Sequence, residues 1–315
     1  MRISIIARIA SSLTGETDVM TVCEHVAITV FDKERHLKLG VSTYTYMWSL
    51  GFRGPNPAFP DREARPEKPL TALGLLENAH ALGLSIVQTG PNFPVEKLPA
   101  AEFETFIETA KRLGIELELG TRGLDYDHLA KQVAVAKRMG AKLIRTVPDV
   151  AGNYAADAKQ IPAALRQLVP VLEREGMRLA IENGKTPAAD LRAALDEVHS
   201  SFVGLVLDMV NSLAVPEGWK YVTQLLAPHT MCLHYKDFTI KRAWHMMGFI
   251  CEGLPAGRGL VETEWLLNEL KASPYDFNVI IELWPPEQEK LQDTINLEQA
   301  WAIESVAYLR QFIRD

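Results

Sequence analysis

From residue 38 onward, short apolar runs alternate with longer segments in which apolar residues recur at the helical period. The runs are rich in Val, Ile and Leu, as the buried strands of a parallel sheet are. Eight of them predict strands, at residues 38–44, 84–88, 115–119, 142–147, 178–182, 203–208, 230–235 and 278–283. The segments between the runs predict helices, so the chain repeats a strand followed by a helix eight times.

Three of the predicted helices end in a glycine just before the next strand. They cover residues 100–114, 127–140 and 163–176, and they end at Gly114, Gly140 and Gly176. Glycine adopts the left-handed conformation at low steric cost, which makes it the common residue at a helix C-terminus. The glycines therefore support the predicted helix ends.

Eight strand–helix units with no break in composition predict a single α/β domain, a closed (β/α)8 TIM barrel over residues 37–315. Two domains are the alternative for a chain of 315 residues, although α/β barrels routinely form one domain of this size class. No G-x-G-x-x-G motif follows the first strand, so an open dinucleotide-binding sheet lacks its usual support. Long loops are expected after strand one, at 45–68, and after strand seven, at 236–261.

Residues 1–36 do not fit this repeat. We expect an N-terminal extension that is either disordered or the product of an over-long reading frame with Met20 as an internal start. The short apolar stretch near the N-terminus is interrupted by Arg8 and lacks a clean cleavage site, which disfavours a signal peptide. No run approaches the roughly 20 apolar residues that span a bilayer, so no membrane association is expected.

The composition excludes several classes of protein. Lys and Arg number 33 against 40 Asp and Glu, a net charge of −7 without a long basic run, so nucleic-acid binding is disfavoured. The three cysteines, Cys23, Cys232 and Cys251, have no C-x-x-C spacing, which argues against a disulfide framework and a thiolate zinc cluster. A cytoplasmic protein is the expectation.

Four consecutive predicted strands end in a side chain that can bind a divalent cation: Glu182, Asp208, His234 and Glu282. Closing the barrel brings the C-terminal ends of its strands to one mouth, where active sites of this fold lie. Buried charges are costly unless they are paired or bound to a cation. Three carboxylates and one imidazole predict one divalent metal ion, Mn²⁺, Mg²⁺, Co²⁺ or Zn²⁺. The alternative is that each is an isolated polar residue, capped by a backbone amide or paired with a Lys or Arg.

The segments around these residues, AIEN, LVLDMVN, LHYKD and IIELW, resemble those of the xylose isomerase-like superfamily of metal-dependent sugar isomerases, epimerases and dehydratases. The resemblance covers roughly residues 38–312. It implies that Glu182, Asp208, His234 and Glu282 are the metal ligands, and that Glu182 and Glu282 lie on opposite sides of the substrate as catalytic carboxylates. The superfamily's apurinic endonuclease branch is disfavoured, because its extra histidine ligands have no match here and the chain is acidic.

A metal ion held by carboxylates can bind a carbonyl oxygen and a neighbouring hydroxyl. It thereby stabilises the enediolate that forms when an α-proton leaves. The first expectation is therefore a keto-sugar isomerase or epimerase in which a carboxylate removes that proton. If a leaving group lies β to the proton, the same step leads to a lyase. Such a lyase would be an inosose or 3-dehydroshikimate-type dehydratase, or a 3-keto-glycoside or C-glycoside deglycosidase. A barrel that serves as a non-catalytic subunit is the third alternative.

Further residues are candidates for contact with a sugar or polyol substrate. The resemblance favours a role near the metal or the substrate for Lys236 and Asp237. The alternative is that they form a surface ion pair. Asn211 stands where ketose 3-epimerases carry a substrate-binding His, which puts a simple ketose epimerase in doubt. Arg258 could bind a substrate oxyanion through its planar guanidinium group. The alternative is that Arg258 lies in a solvent-exposed turn. Arg145 could face the mouth, brace Glu182 or form a structural salt bridge.

The two long loops contain aromatic side chains that could form a wall for a sugar ring. Loop 45–68 contributes Tyr46, Trp48 and Phe52, and loop 236–261 contributes Trp244 and Phe249 together with two methionines. Long loops in compact domains often act as lids or partner surfaces. Core packing between the loops is the alternative. We expect a homo-oligomer, and a second subunit over the mouth remains open.

Overall fold

The chain was analysed as a computed structural model that describes residues 37–51, 65–150 and 154–314. The prediction for residues 1–36 lies outside these residues. Eight parallel strands form a closed barrel, in the order β1, β2, β3, β4, β7, β8, β9, β12 and back to β1. They are β1 (Lys38–Ser42), β2 (Ile86–Thr89), β3 (Glu116–Arg122), β4 (Leu143–Val147), β7 (Arg178–Glu182), β8 (Val203–Asp208), β9 (Thr230–Tyr235) and β12 (Asn278–Ile281). The predicted (β/α)8 barrel is confirmed.

One α-helix follows each barrel strand and packs on its outer side. The helices are α1 (Ala72–Ala81), α2 (Ala100–Leu113), α3 (Tyr126–Met139), α4 (Gln160–Glu175), α5 (Ala188–Val198), α6 (Trp219–Leu226), α7 (Thr263–Glu269) and α8 (Leu291–Leu309). Gly114, Gly140 and Gly176 cap α2, α3 and α4 with φ of 70°, 70° and 61°. The predicted glycine caps are therefore confirmed. Within the described part of the chain, no helix has both the length and the apolarity needed to cross a bilayer.

In five of the eight barrel strands the observed ends differ from the prediction by one to three residues. The first strand stops at Ser42, two residues early, because Ser42 Oγ accepts from the amide of Tyr44 and caps a 3₁₀ helix over Thr43–Tyr46. The last barrel strand stops at Ile281. Glu282 follows it, and its amide still donates to Tyr235 O.

The insertion after β9 is an antiparallel hairpin, which corrects the predicted long loop. Its strands are β10 (Asp237–Arg242) and β11 (Phe249–Leu254), paired over six residues. The hairpin was missed because it interrupts the strand–helix repeat on which the prediction relied. Two further strands, β5 (Asp149–Val150) and β6 (Tyr154–Ala155), form a short ladder after β4.

The barrel interior is built in layers of inward-facing side chains, since alternate residues of each strand point to the axis. A separate apolar cluster fills part of this interior and is contributed by several strands: Ile86, Leu143, Ala180, Val206, Met231, Cys232 and Ile280. Two residues further along most of these strands, the inward-facing side chains are polar. The polar layer therefore lies at the C-terminal mouth, on top of an apolar floor.

Candidate metal centre

The four predicted metal ligands meet in this polar layer. Glu182 and Asp208 end β7 and β8, His234 is the fifth residue of β9, and Glu282 follows β12. All four are at most 1% exposed. One ligand atom from each lies within 4.8 Å of the others, an arrangement that could hold a metal ion. Three carboxylates share this space, so their mutual repulsion must be offset by positive charge.

One buried cation and one partly buried cation supply part of that charge. Arg145, on β4, forms an ion pair with Glu182 through Nη2 and Oε2. Lys236, just after β9, places Nζ 2.5 Å from Asp208 Oδ2 and 2.7 Å from Glu282 Oε2. Arg145 thus braces Glu182, one of the roles considered from the sequence. Each of the three carboxylates has a cationic neighbour.

The pKa directions of Glu182 and Lys236 follow from this pairing, whereas burial raises the pKa of Asp208 despite the charge of Lys236 beside it. Burial alone would raise the pKa of Glu182, but the positive charges around it, Arg145 foremost and also Lys236, help to hold the pKa well below its usual value. Burial opposes the charged form of Lys236, yet Asp208 and Glu282 raise its pKa above the usual value. Glu182 is therefore ionised and Lys236 is protonated near neutral pH, which keeps full charges in a desolvated space.

His234 shows that the cluster fits a divalent ion. Its Nδ1 is buried and has no hydrogen-bond partner. That nitrogen lies 3.5 Å from both Glu182 Oε1 and Glu282 Oε1. An imidazole nitrogen facing carboxylate oxygens is the donor set that borderline and hard divalent ions take. The three carboxylates and His234 Nδ1 are therefore the groups that would hold the ion.

Neighbouring side chains fix the orientation of the ligands. Ser42 Oγ donates to Glu282 Oε1 at 2.9 Å. Asn211 Nδ2 donates to Glu182 Oε1 at 2.8 Å. Asn183 exchanges two hydrogen bonds of 2.7 Å with the backbone of Asp208. Because each ligand is held by its own partner, the cluster is pre-organised.

A second group of charges forms the rim of the mouth on the side of β3, β4 and β7. Asp149 is 3% exposed and pairs with Arg122, and its Oδ2 lies 3.1 Å from Lys185 Nζ. The ring of Tyr44 lies beside this group, with Arg145 Cζ 5.7 Å from its centroid. Among the described residues, this group contains two cations, Arg122 and Lys185, and one carboxylate, Asp149.

Two of the residues predicted to contact the substrate, Lys236 and Asn211, lie at the metal centre. Lys236 contacts Asp208 and Glu282, and Asn211 contacts Glu182. Asp237 is buried, but its carboxylate accepts from the amides of Gly257, Gly259 and Val261. It therefore organises the chain that returns from the hairpin. Arg258 is exposed and pairs with Glu304 of α8. This agrees with the alternative that it lies in an exposed turn, and the structure does not bring it to the cluster.

The aromatic side chains that the structure describes in the two insertions do not form a common wall. Tyr46 is fully buried in the main hydrophobic core. Trp48 is partly buried, and its amide donates to Glu298 Oε1 at 2.8 Å. Trp244 is 91% exposed and Phe249 is 64% exposed on the hairpin, so core packing between the loops is not found there either. Phe52 lies outside the described residues.

Ser42 and Tyr44 are two of the residues near the centre that the sequence does not identify as candidates. Ser42 ends β1, so the strand-end rule that identified Glu182 and Asp208 applies to it as well. It was overlooked because a hydroxyl in an apolar run does not suggest a metal site. The apolar pattern predicts Tyr44 as the last strand residue, and only the 3₁₀ turn at Ser42 directs its ring to the mouth.

The sequence model of the family described as xylose isomerase-like TIM barrel matches residues 118–312. The 3-oxo-isoapionate decarboxylase of Pectobacterium atrosepticum is 32% identical over 274 residues, covering 87% of this chain and 95% of that enzyme. A xylose isomerase-like TIM barrel protein from Mycobacterium smegmatis in complex with magnesium superposes with a TM-score of 0.60, at 14% identity, over 86% of this chain and 97% of that chain. A D-psicose 3-epimerase in the presence of D-fructose superposes with a TM-score of 0.61, at 14% identity, over 88% of this chain and 99% of that chain.

Proposed function

The chain belongs to the xylose isomerase-like TIM barrel family, and we propose that it is a divalent-metal-dependent lyase that removes carbon dioxide from a 3-oxo sugar acid. The observation that carries this proposal is the charge of the mouth. The sequence relative that acts as a decarboxylase supports it, since the match extends over nearly the full length of both chains.

The charges of the mouth suit an anionic substrate. Three ligand carboxylates against Arg145 and Lys236 leave a net charge of −1, which a divalent ion turns to +1. Arg122 and Lys185 against Asp149 add one more positive charge at the rim. A cleft of one sign attracts ligands of the other sign and favours their binding. A sugar acid carries that negative charge, whereas a neutral ketose does not.

Arg145 offers a specific contact for such a substrate. It is 5% exposed, and its Nε and Nη1 are buried without a hydrogen-bond partner. Its Nη2 is engaged by Glu182. Buried donors without partners are costly, so a substrate oxygen that pairs with them gains binding free energy. We assign these two nitrogens to oxygens of the substrate.

Decarboxylation of a 3-oxo acid requires few catalytic groups from the protein. The bond between C1 and C2 breaks, its electron pair passes into the enolate of C2, C3 and the 3-oxo oxygen, and carbon dioxide leaves. C2 then takes a proton. A bound divalent ion would supply stabilisation of the negative charge that develops on the 3-oxo oxygen. Lys236 adds a fixed positive charge beside the same place, and two of its three N–H groups are directed to Asp208 and Glu282.

No base is required to break this bond. Glu182 and Glu282 can therefore remain paired with Arg145 and Lys236 throughout. An isomerase would instead need one of these carboxylates to take a proton from carbon.

The isomerase or epimerase expected from the sequence is the second candidate. The observation that favours it is that oxygens of Glu182 and Glu282 both lie 3.5 Å from His234 Nδ1. Two carboxylates that face one centre can serve as the base and the acid on the two sides of a substrate. The two candidates share the metal and differ in the bond that breaks.

The deciding experiment uses the full chain loaded with Mn²⁺. A 3-oxo sugar acid carrying ¹³C in its carboxyl group is supplied, and labelled carbon dioxide is measured with and without a chelator. Chelator-sensitive release of the label is expected. In parallel, a panel of ketoses and keto-inositols is incubated in heavy water. Deuterium in a product of unchanged formula, with no release of carbon dioxide, would refute the lyase in favour of the isomerase. Loss of water would indicate a dehydratase, and no turnover of any compound would favour a non-catalytic barrel.

A further inference from the structure

Below the metal centre, a chain of buried hydrogen bonds runs through the barrel interior. His234 Nε2 lies 2.7 Å from Gln88 Oε1 on β2. Gln88 Nε2 donates to Glu118 Oε2 on β3 at 2.9 Å, and Asn278 Nδ2 donates to Glu118 Oε1 at 2.5 Å. Gln88, Glu118 and His234 are at most 4% exposed. No step of the proposed reaction uses Gln88 or Glu118.

The chemistry of these groups sets the direction of every hydrogen bond. Both carboxyl oxygens of Glu118 accept hydrogen bonds, one from Gln88 Nε2 and one from Asn278 Nδ2, so Gln88 presents its NH₂ group to Glu118. The Gln88 amide also directs this NH₂ group at Cys232 Sγ, a weak acceptor 3.7 Å away. The opposite orientation would place the amide oxygen against Glu118 Oε2, two acceptors at hydrogen-bond distance. Gln88 Oε1 therefore faces His234.

This orientation determines which ring nitrogen of His234 carries a proton. Gln88 Oε1 can only accept, so His234 Nε2 must be the donor. In the neutral imidazole the lone pair then lies on Nδ1, the nitrogen that faces Glu182 and Glu282. A metal-ligating histidine usually donates its other N–H to an acceptor that fixes the ring. Here that acceptor is a neutral amide, which is itself oriented by a buried carboxylate.

We propose that Gln88 and Glu118 are positioning residues that fix the tautomer and the ring orientation of His234, so that Nδ1 is presented to a divalent ion. The inference rests on the metal centre of the proposed function. Glu118 acts through Gln88, and neither residue touches the substrate. Residues on β2 and β3, which contribute none of the four ligands, thus take part in metal binding.

A pair of variants tests the direction of the hydrogen bonds. In Glu118→Gln, residue 118 can no longer accept from both Gln88 and Asn278, so Gln88 loses the group that orients it. In Gln88→Glu/Glu118→Gln, the carboxylate at 88 accepts from both His234 and the new amide at 118. That amide then accepts from Asn278. The double variant has the charge and the composition of the original chain, and every group in the network has a partner.

The measurement is the Zn²⁺ dissociation constant of each full-length protein by calorimetry. Glu118→Gln is expected to weaken binding by about tenfold, the low end of the range for partners of metal ligands. The double variant is expected to regain most of the affinity. Zinc-loaded, ¹⁵N-histidine-labelled protein adds a second readout. The Nε2 proton of His234 is expected to be protected from exchange in the original and double variants, and to exchange faster in Glu118→Gln.

Glu116→Gln is the matched control, since it removes the same charge two residues away on β3, where Glu116 pairs with Lys38. It is expected to bind Zn²⁺ as the original chain does, and melting curves of all variants identify any that fail to fold. The inference is overturned if Glu118→Gln is folded and binds Zn²⁺ normally, or if the double variant is folded and as weak as Glu118→Gln. Failure of the original chain to bind a divalent ion would instead refute the metal centre itself.

Discussion

Replacing Arg145 by methionine removes a charge from the metal centre while keeping most of the side-chain volume. Arg145 and Glu182 are 5% and 1% exposed and form an ion pair at the base of the cluster. Removing one partner of a buried pair leaves the other charge without compensation, which costs about 3–5 kcal/mol of unfolding free energy. Without metal, Arg145→Met is therefore expected to be less stable by that amount.

A divalent ion should reverse part of this loss. Without Arg145, the three carboxylates and Lys236 carry a net charge of −2 instead of −1, so the attraction for a cation increases. Two unit charges about 4 Å apart interact by roughly 4 kcal/mol at an effective dielectric constant near 20, and solvent and relaxation reduce that value. A gain of about 1.4 kcal/mol, or tenfold tighter Mn²⁺ binding, is a conservative expectation.

The assay is urea unfolding of both proteins with a chelator and with saturating Mn²⁺. Mn²⁺ should stabilise Arg145→Met more than the original chain, although the variant should lose turnover of an anionic substrate. Arg145→Lys keeps the charge and serves as the control, with a smaller loss of stability. Equal stabilisation of the original chain and Arg145→Met by Mn²⁺ would refute the idea that Arg145 and the ion balance the same carboxylates.

Three further changes test other contacts. Burial raises the pKa of Glu298 from its ordinary value near 4.5 to about 7, so the free energy of unfolding should fall by roughly 3 kcal/mol as pH rises between these values, at 1.36 kcal/mol per pKa unit. In urea titrations, Glu298→Gln should reduce this dependence on pH, and equal slopes for the two proteins would contradict the shift. Ser42→Ala removes the hydrogen bond to Glu282 and should cost about 1 kcal/mol together with part of the turnover; unchanged kinetics would show that Ser42 does not position Glu282. A Cβ on Gly259 would lie 2.1 Å from Asp237 Oδ1, so Gly259→Ala should lower the unfolding free energy by about 2 kcal/mol, and an equal midpoint of denaturation would contradict the role of Asp237 in that loop.

The sequence alone was enough to predict the barrel and the meeting of Glu182, Asp208, His234 and Glu282 at one mouth. The apolar runs and the glycines after α2, α3 and α4 are local signals, since they depend on the periods of strands and helices and on the left-handed φ that glycine tolerates. Once eight units close into a barrel, the ends of their strands must meet. Glu182, Asp208 and His234 could therefore be placed together although they are far apart along the chain.

The tertiary structure decided which partner each buried group has. Arg145 pairs with Glu182 and Lys236 lies between Asp208 and Glu282, whereas Arg258, an equally plausible candidate by residue type, lies on the outside beside Glu304. A residue's type determines which partners it can bind. Which partner it does bind depends on the pleat and register of its strand and on the layer of the barrel in which its side chain lies. The link from His234 through Gln88 to Glu118 joins three strands in this way. Such contacts exist only after the barrel has closed, because desolvation then forces each buried donor to find an acceptor across the interior.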